Sequence, residues 1–260
     1  DLDYVSTSAL ALNSGTIRDA AGNNATLTLP GVGGVASIAG QKAIVIDTTA
    51  PTLTFTSITP TSPGTSQTPQ VAMSSSEAAT IILYNSGTCT SSISNSLSGV
   101  SGTNTITTNS LTANTTTGIY AKATDAASNA SACTLMTSYT HDGAAPQVSS
   151  VSSSTVNGTY GVGQTINITV TFNEAVTVSG TPQITLETGS TDAVANYTSG
   201  SGTTQVSFNY VIGAGETSAD LEYGSTTSLA LNGGSIVDAV GNAAVLTPVS
   251  YTHLTLPTIL

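Results

Sequence analysis

Residues 1–28, DLDYVSTSALALNSGTIRDAAGNNATLT, return without a gap at 220–247 as DLEYGSTTSLALNGGSIVDAVGNAAVLT, with 18 of 28 positions identical. Between the copies a shorter phrase also recurs, Asp47-Thr-Thr-Ala-Pro51 and Asp142-Gly-Ala-Ala-Pro146. A chain that repeats its modules and marks each joint in the same words reads as a segment of a tandem array. Such arrays work through reach and repetition more than through one active site. The joint phrases divide the chain near residues 50 and 145. The segment 1–49 then reads as the C-terminal fragment of a repeat, and 50–145 as a complete domain. The segment 146–247 reads as a repeat homologous to 1–49. It lacks the closing strand, Lys42 to Asp47, that follows the first copy.

The patterning is that of β-structure. In Gln164–Phe172, Ile166, Ile168, Val170 and Phe172 alternate with polar residues, the mark of a half-buried strand. Val206, Phe208, Tyr210 and Ile212 repeat the pattern, as do Ile184 with Leu186 and Leu229 with Leu231. Gly-rich breaks separate these runs at 161–163, 199–202 and 213–215. In the middle module, strands are expected over 51–58, 70–73, 79–84, 118–124 and 133–140. The fold class is all-β, nearly helix-free, with seven to nine short strands per module in a sandwich. Because 1–49 holds only trailing strands, Leu10, Leu12, Ile17, Leu27, Ile44 and Ile46 lack an opposite sheet, and 1–46 is expected to pack poorly or to borrow an edge from elsewhere.

Charge narrows the partners. Three Lys and Arg residues stand against 14 acidic ones, a net charge of -11, which repels phosphate backbones and argues against nucleic acid. The same balance suits divalent cations. No apolar run reaches the 18 residues that a membrane-spanning helix needs, so no membrane insertion is expected in this segment.

The segment TTGIYAKATDAASNASAC, with Ala123-Thr-Asp-Ala-Ala-Ser-Asn129 and the joint Asp47-Thr-Thr-Ala-Pro51, resembles tandem bacterial immunoglobulin-like repeats. These occur in large secreted adhesins and other surface proteins. The resemblance covers 50–247 and the tail of 1–49. It implies tandem Ig-like sandwiches acting as a spacer or stalk at the bacterial surface or outside the cell. The partners it implies are the neighbouring repeats of the same chain; the sequence does not disclose the ligand of a tip. Ser128 departs from the family turn, which prefers Gly, and leaves the left-handed position to Asn129. At the far end, PVSYTHLTLPT resembles a translated sequencing adapter, so 248–260, with His253, is set apart as an artefactual tail.

Cys89 and Cys133 fall inside one module. An extracellular setting and the absence of C-x-x-C spacing favour a disulfide over two buried free thiols.

Acidic residues recur in phase. Asp19, Asp125 and Asp238 open the same turn, Asp47 and Asp142 mark the joints, and Glu77 and Glu174 follow them. If these turns approach the joints, Asp19, Asp47 and Glu77 converge at the first, and Asp125, Asp142 and Glu174 at the second. Around calcium such carboxylates are oxygen ligands. The local alternative is that each Asp caps its own tight turn.

Catalysis finds little support, and no enzyme is expected. His141 sits beside Asp142 as an exposed linker residue, and no G-x-S-x-G or S-x-x-K motif is present. The rival reading is a glycan- or protein-binding module, of the kind that can be appended to an extracellular hydrolase. An exposed row among Tyr160, Tyr197, Tyr210 and Tyr223 would favour it; a Thr/Ser carpet favours the spacer.

Overall fold

The computed structural model describes residues 2–247; the adapter-like tail at 248–260 lies outside the described residues, and His253 with it. Among the described residues helix is confined to one four-residue turn, α1 (Ile38–Gln41). Everything else that is regular is strand, as the alternating apolar pattern requires.

The chain divides into two compact units. The first comprises Asp1–Ser57, Val71–Ile106 and Ile119–Met136; the second comprises Ile58–Gln70, Thr107–Gly118 and Thr137–Leu260. Most of the first unit's regular structure lies in β1 (Leu53–Thr59), β2 (Gln70–Ser75), β3 (Ala79–Tyr84), β4 (Leu97–Gly99), β5 (Gly102–Thr107), β6 (Thr116–Thr124) and β7 (Thr134–Thr140). These make a three-stranded sheet in the order β1-β2-β5 and a four-stranded sheet in the order β4-β3-β6-β7. Alternate residues of β2, β3 and β6 are sealed from water: Val71, Met73, Ile81, Leu83, Ile119, Ala121 and Ala123. Each large member contributes roughly 2 kcal/mol of burial. Sequence patterning missed β4 and β5, where Asn104 and Ser98 interrupt the apolar alternation. The Asn104 amide instead bonds to Val100 and Gly102 at 2.8–2.9 Å and fixes the turn that carries the chain from the β4 sheet to the β5 sheet.

The second unit carries β8 (Val148–Ser153), β9 (Thr165–Ser179), β10 (Gln183–Glu187), β11 (Ala193–Ser199), β12 (Thr203–Val211), β13 (Glu222–Tyr223), β14 (Leu229–Ala230) and β15 (Ser235–Val237). They join in one sheet ordered β13-β10-β11-β12-β9-β15, with β14 also on β10 and β8 also on β9. The 15-residue β9 organises it. Its first half pairs with β8 and β12, and its last three residues with β15, Val178 facing Ile236. Ile166, Ile168, Val170, Phe172, Val206, Phe208, Tyr210, Leu221, Leu229 and Ile236 share one core.

Residues 2–46 make no such core. Leu10, Leu12, Ile17, Ile44 and Ile46 are exposed, and Leu27 is half-buried. The strand expected at Lys42–Asp47 does not form. An extended segment needs a neighbouring ladder for its N–H and C=O groups, and here the Ile44 carbonyl accepts a lone long-range bond from the Leu2 N–H at 2.6 Å, with no ladder about it.

Candidate metal centres

The recurring turn is built by its own Asp. The Asp238 Oδ1 accepts from the N–H groups of Val240, Gly241 and Asn242 at 2.7–2.9 Å, and Oδ2 accepts from the Asn242 amide at 2.7 Å. Asp125 is held likewise by Asn129, through its N–H and its amide, both at 2.8 Å. Asp19 accepts the same pair from Asn23 at 2.9 and 2.8 Å. A carboxylate that satisfies several amides pins a turn without help from the rest of the fold.

One backbone position in this turn is left-handed. It falls on Gly22 (φ 87°), Gly241 (φ 98°) and, in the middle module, on Ser128 (φ 72°). The expectation that Asn129 takes it is therefore corrected: the Asn must stay where its N–H and amide reach Asp125, which forces the serine into the strained region. A β-carbon there costs about 1 kcal/mol. Ser128→Gly should accordingly stabilise the first unit by about 1 kcal/mol in urea unfolding. A neutral or negative effect would show that the turn carries no such strain.

Register decides what the turns meet. In the β3–β6 pair Thr80 faces Thr124, so Asp125, one residue on, lies at the β3 end that carries Glu77. In the β9–β15 pair Val237 faces Thr177, which brings Asp238 toward Glu174. The turn Asn then reaches the preceding linker. The Asn129 amide donates to the Asp47 carbonyl at 3.1 Å, and the Asn242 amide donates to the carbonyls of Asp142 and Ala144, each at 3.2 Å.

Two carboxylate trios result, Asp47–Glu77–Asp125 and Asp142–Glu174–Asp238, each with ligand oxygens within 4.8 Å of one another. The expected sets are thus regrouped. Asp125 leaves Asp142 and Glu174 and joins Asp47 and Glu77, Asp238 takes its place, and Asp19 belongs to neither trio. The physical reason is strand direction. The last turn of a domain returns to the end where the chain enters, so it serves the entering joint and not the exit. At the repeat offset, the equivalents of Asp142 and Glu174 have no position within 1–49. The signal for Asp238 was in the sequence: it opens the same turn as Asp125, in a repeat whose Glu lies on the neighbouring strand.

Each trio holds like charges close together. Burial, then the charges of Asp47 and Asp125, raise the Glu77 carboxyl above its ordinary range; burial, then Asp142 and Asp238, do the same for Glu174. Burial also pushes on Asp125 and Asp238, but the bonds from Asn129 and Asn242 outweigh it and hold both below the ordinary range. Asp19 is lowered in the same way by Asn23. Calcium takes oxygen ligands at 2.3–2.6 Å, so oxygens on opposite sides of one ion lie about 5 Å apart. Oxygens spaced as in each trio can therefore share a single ion.

Other expected residues have settled elsewhere. Cys89 and Cys133 are joined in a disulfide. His141 is buried at 7% exposure, not an exposed linker residue, because its Nδ1 accepts the Asn114 N–H at 3.0 Å while its own N–H donates to the Thr115 carbonyl. Tyr210 and Tyr223 are core residues, Tyr197 is half-buried edge-on to Phe208, and Tyr160 is half-buried and donates to the Val156 carbonyl. These four tyrosines thus form no exposed row.

The antiparallel sheets, short strands and near-absence of helix define an immunoglobulin-like β-sandwich class of protein. Residues 142–255 match the family described as Bacterial Ig-like domain, a stretch that covers less than half of the chain. No curated protein matches the chain.

Proposed function

We propose that this chain is a structural spacer from a bacterial surface or secreted adhesin, in which calcium at each joint clamps the linker to the domain it enters. The observation that supports this reading is the recurrence of one acidic trio, with its turn Asn, at both joint phrases. Without a cation each trio stores repulsion; with one, a linker carboxylate and two domain carboxylates become ligands of the same ion. The linker then loses its freedom to swivel, and a string of domains becomes a rod. The family match at 142–255 is in keeping with a surface setting.

Calcium titration by calorimetry should give two equivalents with affinities of roughly 0.1–1 mM, the range of extracellular modules. Glu77→Gln and Glu174→Gln should each remove one equivalent and leave the far-UV spectrum unchanged, since neither residue lies in the capped turn. No saturable uptake, or uptake unaltered in the double variant, would sink the calcium reading. Saturable binding to a panel of polysaccharides would favour an adhesive module over a spacer.

A further inference from the structure

The two copies of the repeated segment share a sequence but not an environment. Leu221, Leu229 and Ile236 are 0%, 4% and 2% exposed, whereas their equivalents Leu2, Leu10 and Ile17 are 42%, 42% and 48% exposed. The backbone of the first copy nevertheless has the shape of the second. Asn13 and Ser14 are left-handed at φ 41° and 70°, as are Asn232 and Gly233 at 46° and 76°. The Gly15 N–H donates to the Leu12 carbonyl at 2.7 Å, as Gly234 donates to Leu231 at 2.8 Å. Ala25 donates to Ile17 and Ala244 to Ile236, both at 2.9 Å. Turns and caps are set in 2–28 while Leu2, Leu10, Leu12 and Ile17 face water and Tyr4 is half-buried. Ordering is a large part of the cost of docking a segment, and here much of it is already met.

We infer that 1–28 is a preformed docking surface for one kind of partner, a half-sandwich with the strand chemistry of 142–219. In the second copy β14 pairs with β10, Leu229 facing Ile184, and β15 pairs with β9, Ile236 facing Val178. The partner must therefore offer two such edges, one to seat Leu10 and one to seat Ile17. The four apolar anchors Leu2, Tyr4, Leu10 and Ile17 are identical to Leu221, Tyr223, Leu229 and Ile236. The changes Val237 to Arg18, Val240 to Ala21 and Val245 to Thr26 fall at positions that are not buried in the second copy. An intact second copy of this chain is not the occupant. Its own 220–247 already fills the seat, and exchange would bury no additional apolar surface.

The test extends the full chain: a further copy of 142–219 is joined directly ahead of residue 1, and amide hydrogen exchange is followed by mass spectrometry. The amides of 1–28 should slow by on the order of 100-fold relative to the unextended chain. Leu10→Asp with Ile17→Asp in the extended chain should abolish that protection and leave 50–247 unchanged. Protection seen only in a dimer, with each added half closed by the other chain's 1–28, supports the same docking surface. Exchange in 1–28 as fast as in the unextended chain overturns the proposal. So does capture of 220–247 by the added half with 1–28 left unprotected.

Discussion

Replacing Cys89 and Cys133 together with serine should lower the stability of the first unit by about 4 kcal/mol. The bridge closes a loop with a sequence separation of 44 residues, and the entropy it removes from the unfolded chain sets that figure. A small offset is expected, because Cys89 is left-handed (φ 49°) and a free backbone would relax. Urea unfolding of the double variant, beside wild type with and without reductant, checks the prediction. A loss under about 1 kcal/mol would mean that the unfolded chain is already constrained there or that the bridged form is strained. The second unit should unfold at the same denaturant concentration in both proteins.

Phe208→Ala should cost the second unit about 4 kcal/mol. The side chain is fully buried, faces Ile168 across the β9–β12 pair and meets the Tyr197 ring edge-on at 6.0 Å. Truncation leaves a cavity that rigid neighbouring strands cannot close, which places the loss in the range for large aromatic deletions. Val211→Ala on the same strand is the control. At 59% exposure it should change stability by less than about 0.5 kcal/mol. Equal losses for the two variants would contradict the assignment of Phe208 to the core.

Strands with strict alternation were legible in the sequence: Ile166 to Phe172 and Val206 to Ile212 announce both faces of β9 and β12. Strands held by polar side chains were not. β5 is locked by the Asn104 amide, and β8 offers only Val148 and Val151 as buried apolar residues. The acidic residues were visible through repetition, but their partners were not. A recurring Asp in a turn says that the turn is the same, whereas which end of the domain it visits depends on strand direction. Lys42–Asp47 failed for the opposite reason. Its local pattern is a good strand, yet a strand exists only beside another one, and propensity cannot supply a neighbour. His141 looked like a surface linker residue because its acceptor role depends on Asn114, 27 residues away.

The amide clasps from Asn129 to Asp47 and from Asn242 to Asp142 span 82 and 100 residues. Each clasp therefore belongs to a cassette that runs from a joint phrase to the last turn of the domain it opens. A duplication copied from joint to turn carries lock and key together. One whose breakpoint falls inside the domain separates them and leaves a linker with nothing to hold it. The same spacing orders events as the chain emerges. A linker stays unclasped until nearly the whole domain behind it has appeared, so closure trails synthesis by about one domain. Contacts of such long sequence separation form late, and each linker should be clasped only after the domain it enters has closed.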